Sequence, residues 1–397
     1  MNPVHNPYAP GAGTPPPELA GREGLRQRLE VAIGRVRIGN PAKSVILVGL
    51  RGVGKTVLLE QMRQDADRSG VHTLRLEVPE NRSLPALLSP PLRLALLRLS
   101  RVESAKVQAQ RGLRALAGFA KALKPKYDDI EVGIDLEPEQ GLADNGDLEG
   151  DLATLLEQVG LAARLAQTAV VMFIDELHCV EEDQLAALIT ALHRCAQQTL
   201  PLMLVGAGLP QLVGKACRAK SYAERLFDYP LVRPLSRAEA ALAITKPAEA
   251  LEVSFVPAAV DWIIDVTQGY PYFLQEWSKQ AWDAASASPI TPKDVQTAGP
   301  LTIAALDEGF FKVRFERCKP SERRYLRAMA ELGPGPHRSG HIAAKLGKSV
   351  NTLAPVRNSL INKGMVWSPN HGETAFTVPL FDQFMRRAMP MPTPESA

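Results

Sequence analysis

Four cysteines in 397 residues, Cys179, Cys195, Cys217 and Cys318, stand without C-x-x-C spacing. That scarcity offers neither a zinc knuckle nor a disulfide framework, and reduced thiols in a cytoplasmic protein are the expectation. Seven histidines are scattered, and His178 reads as a local polar contact rather than a metal ligand. No apolar run is long enough for a membrane helix; the leucine-rich stretch 84–99 is broken by Pro85, Pro90, Pro91, Arg93 and Arg98. The N-terminal residues lack the apolar core of a secretory signal. A formal charge of +3 gives no overall polyanion-binding signature. An apolar content of 45% supports sizeable cores, and the length points to two or three domains.

The most informative stretch runs from Ser44 to Thr56, SVILVGLRGVGKT. A short apolar run enters Gly49-Leu50-Arg51-Gly52-Val53-Gly54-Lys55-Thr56, and a helical pattern follows. This is G-x-x-x-x-G-K-T, a P-loop, in its strand–loop–helix setting. Phosphate oxygens approached by successive backbone N–H groups require side chains to be absent where the chain wraps them. Gly49, Gly52 and Gly54 supply the clearance, Val53 and Val57 flank the turn, and the helix directs its positive end at the anion. Lys55 is then expected to reach the β- and γ-phosphates, and the Thr56 hydroxyl to hold Mg²⁺.

A second signal is Ala169-Val170-Val171-Met172-Phe173-Ile174-Asp175-Glu176. An unbroken apolar run suits a central parallel strand buried on both faces, and it ends in two carboxylates. Asp175 is the expected Mg²⁺-side acid. Glu176 is placed to polarise a water for in-line attack on the γ-phosphate. The plainer alternative, that both acids merely cap the following helix, loses ground once a P-loop lies upstream. Together the two motifs favour ATP hydrolysis. Nothing after residue 236 resembles the substrate site of a metabolic kinase.

The rest of the chain is read for organisation. Residues 1–17 are rich in Pro, Gly and Ala and are expected to form a flexible extended arm. Residues 18–234 read as the P-loop domain, an α/β three-layer sandwich on a parallel five-stranded sheet whose last strand lies near Tyr229–Val232. Between 101 and 126 seven Lys/Arg face one acid, and between 127 and 151 ten acids face no Lys or Arg. Solvated faces and a loop explain this reversal more simply than an interaction insert. Residues 235–318 are expected to be a helical lid, opened by Ser236 and Glu239 at capping-box spacing. Residues 390–397 read as a flexible tail.

Residues 319–389 are expected to form a separate C-terminal domain, and from 320 to 389 ten Lys/Arg stand against four Asp/Glu, a net of +6. Helices are expected over Ser321–Leu332, Ser339–Leu346 and Asn351–Lys363, followed by a hairpin around the turn Pro369-Asn370-His371-Gly372. That order is a winged helix-turn-helix. Lys348, Asn351, Thr352, Arg357 and Lys363 are the residues expected to meet double-stranded DNA, with Arg338, Lys345 and Asn358 beside them. Winged helices also dock proteins, which leaves a second reading open.

P-loop, acid pair and C-terminal winged helix in this order resemble the AAA+ ATPases of the origin-recognition-like and archaeal-type group, neighbours of the STAND signalling ATPases. The resemblance covers the chain from about residue 18. It implies that Gly21-Arg22-Glu23 packs beside the adenine, so that Gly21 and Arg22 join the nucleotide contacts. It implies an arginine finger at Arg225, with Arg218 as rival and a surface ion pair as the plainer alternative. In Gln268-Gly269-Tyr270-Pro271 it implies a Gly-x-Pro element, with Pro271 tying nucleotide to lid. Two departures stand out: Gly206-Ala207-Gly208 occupies the place of a polar sensor, and no second sensor arginine is evident. Slow hydrolysis and switching are therefore expected. The partners implied are ATP or ADP with Mg²⁺, DNA, and a homo-oligomer or protein partner. The alternative is a STAND-like signalling or defence ATPase whose winged helix docks protein.

Overall fold

The computed structural model describes residues 1–11, 13–79, 82–130 and 136–390. Its chain divides into two compact units, Arg22–Gly49 with Lys55–Val232, and Met1–Gly21 with Leu50–Gly54 and Arg233–Ala397.

The first unit contains α1 (Glu23–Arg37), β1 (Ser44–Val48), α2 (Lys55–Arg68), β2 (His72–Glu77), α3 (Leu84–Leu99), α4 (Lys106–Leu123), α5 (Leu148–Leu165), β3 (Val170–Asp175), α6 (Glu182–Gln197), β4 (Leu202–Gly208), α7 (Gln211–Ala219), α8 (Ala223–Leu226) and β5 (Phe227–Asp228). The five strands pair in parallel, in the order β2-β3-β4-β1-β5. All residues of β3 and β4 are buried, which is why both read as unbroken apolar runs. The last strand falls earlier than expected. Pro230 has no N–H to give a ladder, so β5 stops at Asp228, and Leu231 forms only an isolated bridge to Val48. The charge-reversed segment contributes α4, whose inner face of Leu113, Leu116 and Phe119 enters the main core; residues 131–135 of its acidic half lie outside the described residues.

The glycines at the end of β4 have a packing reason. A Cβ on Gly206 would stand 2.8 Å from a Leu177 methyl, and one on Gly208 2.6 Å from a Leu212 methyl. A larger residue at either position would require Leu177 or Leu212 to shift.

The second unit contains α9 (Arg237–Glu249), α10 (Pro257–Thr267), α11 (Pro271–Ala284), α12 (Pro292–Leu306), a π-helical turn (Asp307–Phe311), α13 (Lys312–Glu316), α14 (Pro320–Leu332), β6 (His337–Arg338), α15 (Ser339–Lys345), α16 (Val350–Asn362), β7 (Val366–Trp367), β8 (Glu373–Phe376) and α17 (Phe381–Ala388). The last three strands form an antiparallel sheet in the order β6-β8-β7. The helices up to α13 and the elements after it share one aromatic core. Phe311 lies 5.6 Å from Phe381 and 5.4 Å from Phe384, ring centre to ring centre. Arg387 on α17 also grips both carboxylate oxygens of Asp307 at 2.6 and 2.9 Å.

The N-terminal arm, expected to be flexible, is extended but docked on this unit. Tyr8 is 3% exposed, its hydroxyl donates to the Ile244 carbonyl, and its ring meets Phe255 and Trp282 edge-on. Asn6 donates to Asp283 at 2.8 Å and to the Lys279 carbonyl at 3.0 Å. A single buried aromatic with its hydroxyl satisfied outweighs the solvation of the polar residues around it. Of the expected tail, 391–397 lie outside the described residues.

Candidate nucleotide site

β1 and β3 are both hydrogen-bonded to β4, with Val48 opposite Gly208 and Ile174 opposite Gly206. The loop after β1 and the acids ending β3 therefore leave the same carboxyl edge of the sheet, two strand spacings apart, about 10 Å. That edge is where ligands of open parallel sheets bind.

Gly49 closes the strand with its N–H on the Gly208 carbonyl at 3.2 Å. Gly52 and Gly54 have φ of 81° and 88°, a backbone conformation that side chains other than glycine's resist. Positive φ at such positions is what allows a loop to turn successive N–H groups toward an anion. Lys55 opens α2, is 8% exposed and belongs with Val53 to the buried set, whereas Thr56 is exposed and Val57 half-buried. The first turn of α2 carries no acid, so its positive end is left for an anion. Leu50–Gly54 pack with the second unit, where a Cβ on Gly52 would lie 3.6 Å from the Tyr270 ring and one on Gly54 3.9 Å from Pro271. Pro271 is the first residue of α11, where its missing N–H costs nothing.

Asp175 is buried and accepts the Glu176 N–H at 2.8 Å. Glu176 has φ 52° and ψ 34°, left-handed backbone at a non-glycine residue, the kind of local strain that collects at functional sites. Its carboxylate is about one-third exposed and lies 3.2 Å from Nδ1 of the buried His178. A hydroxyl at Thr56 and a carboxylate at Asp175 are hard oxygen donors, the set Mg²⁺ takes alongside waters and phosphate oxygens. Sequence reasoning did not single out Glu77, which stands opposite Asp175 at the end of β2 and adds a third carboxylate to this edge.

The remaining expected residues divide. Arg22 is buried ahead of α1. Gly21 has φ 72°, and a Cβ there would collide with the Glu239 side chain at 2.3 Å, so close packing on the α9 cap accounts for that glycine by itself. Arg218 makes a surface ion pair with Glu182 at 3.3 Å. Arg225 is exposed on α8, and among the described residues no side-chain hydrogen bond or ion pair holds its guanidinium. The two candidates for a finger are thereby separated.

In the C-terminal elements, Lys348, Asn351 and Thr352 are exposed around the start of α16. Arg357 and Lys363 require correction as DNA contacts. The Arg357 guanidinium donates to Thr374 Oγ1 at 2.8 Å, Ser368 Oγ at 2.8 Å and the Glu373 carbonyl at 2.9 Å, pinning the hairpin to α16. Lys363 donates to the Glu322 carboxylate at 2.7 Å and the Arg317 carbonyl at 2.9 Å. Both cations are consumed inside the fold. Lys345, likewise, is paired with Glu331 at 2.7 Å.

Residues 18–205 match the family described as AAA ATPase domain, and residues 308–385 match one described as Domain of unknown function (DUF8462). Among curated proteins none matches the sequence. In three dimensions the chain is similar to the Walker-type ATPase paby2304 of Pyrococcus abyssi, at 15% identity and a TM-score of 0.58, over 94% of this chain and 97% of that one. It is also similar to the Thermotoga maritima RuvB Holliday junction branch migration motor (18% identity, TM-score 0.45, 90% of this chain and 92% of that one). A third is the Aeropyrum pernix Orc1 protein in complex with DNA (16% identity, TM-score 0.45, 94% of each chain). The AAA ATPase match spans the P-loop and the Asp175-Glu176 pair, on a parallel five-stranded sheet that brings both to one edge. Residues 18–205 of this chain thus carry an AAA ATPase domain.

Proposed function

We propose that the chain is an ATP-dependent switch in which nucleotide state controls double-stranded DNA binding by a C-terminal winged helix-turn-helix, built from α14 to α16 and the β7–β8 hairpin. ATP is the substrate. Lys55 and the N–H groups of the loop hold its phosphates, with Gly21, Arg22 and Pro271 toward the rest of the nucleotide. Thr56 and Asp175 would hold Mg²⁺, which would supply neutralisation of phosphate charge. Glu176 takes the proton of the attacking water as the γ-phosphate transfers to it and ADP leaves. Arg225, exposed and uncommitted, is suited to stabilise that charge in a neighbouring subunit as an arginine finger. With no polar residue at the end of β4, turnover is expected to be slow.

The observation that carries the switch reading is Tyr270. Its ring lies against the position of Gly52 in the P-loop, and its hydroxyl donates to the Thr377 carbonyl at 3.1 Å, directly after β8. Burial pushes that phenol up to about 12, so it stays a donor throughout the working pH range. One side chain thus touches the phosphate loop at one end and the hairpin at the other. Replacing Tyr270 by Phe keeps the ring and removes the tether. DNA affinity measured with ATP and with ADP is expected to converge to within about twofold in this variant. A nucleotide effect as large as in wild type would remove Tyr270 from the coupling.

The DNA reading is tested by anisotropy with the Glu176→Gln protein, with ATP, with ADP and without nucleotide, at two salt concentrations. Binding should depend on nucleotide and fall with salt at about 0.9 log units per phosphate contact. Lys348→Ala together with Asn351→Ala is expected to weaken it about tenfold or more, with the salt slope reduced by about one. Absence of binding in every state would favour the second reading, a STAND-like ATPase whose C-terminal elements dock protein. The internal use of Arg357 and Lys363 is the observation on that side, because it thins the basic face.

A further inference from the structure

Arg51 stands in the phosphate loop itself, next to Gly52, and Leu50–Gly54 belongs to the same compact unit as α13. A Cβ on Gly52 would lie 3.8 Å from Cζ of Phe310. The Arg314 guanidinium covers that same ring, 3.6 Å from its centre. Tyr272 stacks on it as well, with ring centres 4.9 Å apart. Phe310 therefore brings a second arginine, carried on α13, up to the loop.

Neither arginine has a counter-charge. Among the described residues no carboxylate pairs with either guanidinium, and the Nε of each is buried without a hydrogen-bond partner. Arg314 spends Nη1 on the Phe310 carbonyl at 2.6 Å, and its Nη2 makes no hydrogen bond among the described residues. The Arg51 guanidinium makes none among them at all. These terminal nitrogens, unlike the two Nε atoms, are not sealed from solvent. Burial and the nearby charge of Arg51 push the Arg314 pKa down to about 10. Both act in the direction expected of a cation short of partners. Other arginines of the unit are matched: Arg386 holds Asp382 and Arg387 holds Asp307, each at 2.6 Å.

Two like charges held together in half-buried surroundings are costly unless an anion joins them. Stacking on Phe310 fixes the plane of Arg314 and leaves its edge to donate, the arrangement in which a guanidinium grips phosphate. The N–H groups of a phosphate loop take the inner phosphates of a nucleotide, so a cation on the loop remains for the outermost one. We infer that Arg51 and Arg314 together bind one phosphate group, supplied by ATP as its terminal phosphate and left by hydrolysis as free phosphate. The inference rests on the nucleotide reading given above, and it assigns discrimination of ATP from ADP to α13. Asp307 opens the π-helical turn that runs into α13 and is gripped by Arg387 of α17, so a phosphate drawing on Arg314 acts on the C-terminal elements as well.

The test is calorimetric titration of the full-length protein with Mg²⁺ and ADP, with Mg²⁺ and the β,γ-imido analogue of ATP, and with inorganic phosphate before and after saturation with ADP. Wild type is expected to bind the analogue about tenfold more tightly than ADP and to take phosphate on top of ADP. Arg314→Met keeps an apolar stem over Phe310, and Arg51→Gln leaves that ring untouched. Each should lower analogue affinity about tenfold, leave ADP within about twofold, and lose the added phosphate. Arg314→Lys, with charge but no fork, should recover only part of the loss. Circular dichroism checks each fold; if Arg314→Met unfolds, Arg51→Gln decides alone. Variants that keep the wild-type preference for the analogue, or that lose ADP and analogue alike, overturn the inference. Should wild type bind neither nucleotide, the nucleotide reading itself falls. Phosphate binding to the free protein then decides the pair: present in wild type and lost in Arg51→Gln it stands, and otherwise it falls.

Discussion

Glu176→Gln is expected to lower ATP turnover about 10³-fold while leaving ATP affinity within about twofold, read by single-turnover hydrolysis beside equilibrium nucleotide binding. The substitution preserves shape and hydrogen-bonding reach but removes the carboxylate proposed above to accept a proton. Glu176 is set apart from Asp175 by environment. Asp175 is buried and committed to the Glu176 N–H, whereas Glu176 stands on a left-handed turn with its carboxylate about one-third exposed. A carboxylate in contact with solvent can order a water; one sealed in the strand end is suited to a metal ion. Lys55→Ala is expected to give the opposite pattern, loss of affinity itself, because the phosphate contact proposed for it would be made before chemistry begins. If Glu176→Gln hydrolysed ATP normally, the base would have to be sought among the other acids of this edge. Glu77, opposite Asp175 in the register of β2 and β3, is the first to replace.

The loop and strand ends of the candidate nucleotide site are legible in the sequence because their determinants are local. Glycines at Gly52 and Gly54 answer to a backbone that turns through positive φ, and the apolar runs at β1 and β3 answer to burial on both faces. Such rules act within a few residues, so a single sequence displays them. The arm was misread for the converse reason. The Tyr8 hydroxyl finds its acceptor 236 residues away, at Ile244, and nothing in a Pro- and Gly-rich stretch announces that partner. The end of the sheet slipped because an apolar run from Tyr229 to Val232 looks like a strand, while Pro230 forbids the ladder. The basic residues in and beside α16 are the hardest to read. Lys348, Arg357 and Lys363 carry the same charge in sequence, and only the positions of Thr374 and Glu322 decide which of them face solvent. Arg51 and Arg314, far apart in the chain, meet through Gly52 and Phe310 and share no sequence pattern at all.

Lys363→Ala should destabilise the C-terminal elements by about 3 kcal/mol near neutral pH, measured by urea unfolding, with no direct part in DNA contact. Glu322 is 2% exposed, and its carboxylate takes hydrogen bonds from Lys363 at 2.7 Å, Ser359 at 2.7 Å and the Lys319 N–H at 2.6 Å. Burial by itself would raise its pKa; the hydrogen bonds from Lys363, Ser359 and Lys319 outweigh burial and hold it below the usual carboxylate range. In wild type this contribution is therefore present above the unfolded-state pKa and lost as pH falls through the folded one. Without Lys363 burial prevails, the folded pKa moves up, and the buried charge becomes a penalty that protonation relieves. The destabilisation should accordingly shrink between pH 7 and about pH 4.5. Lys363→Met with Glu322→Gln, which removes both charges, is expected to recover most of the loss. Equal destabilisation at both pH values would place the cost elsewhere than in the ion pair. A DNA affinity that fell while stability held would return Lys363 to the DNA face, and the pairing with Glu322 would then have to open for binding to occur.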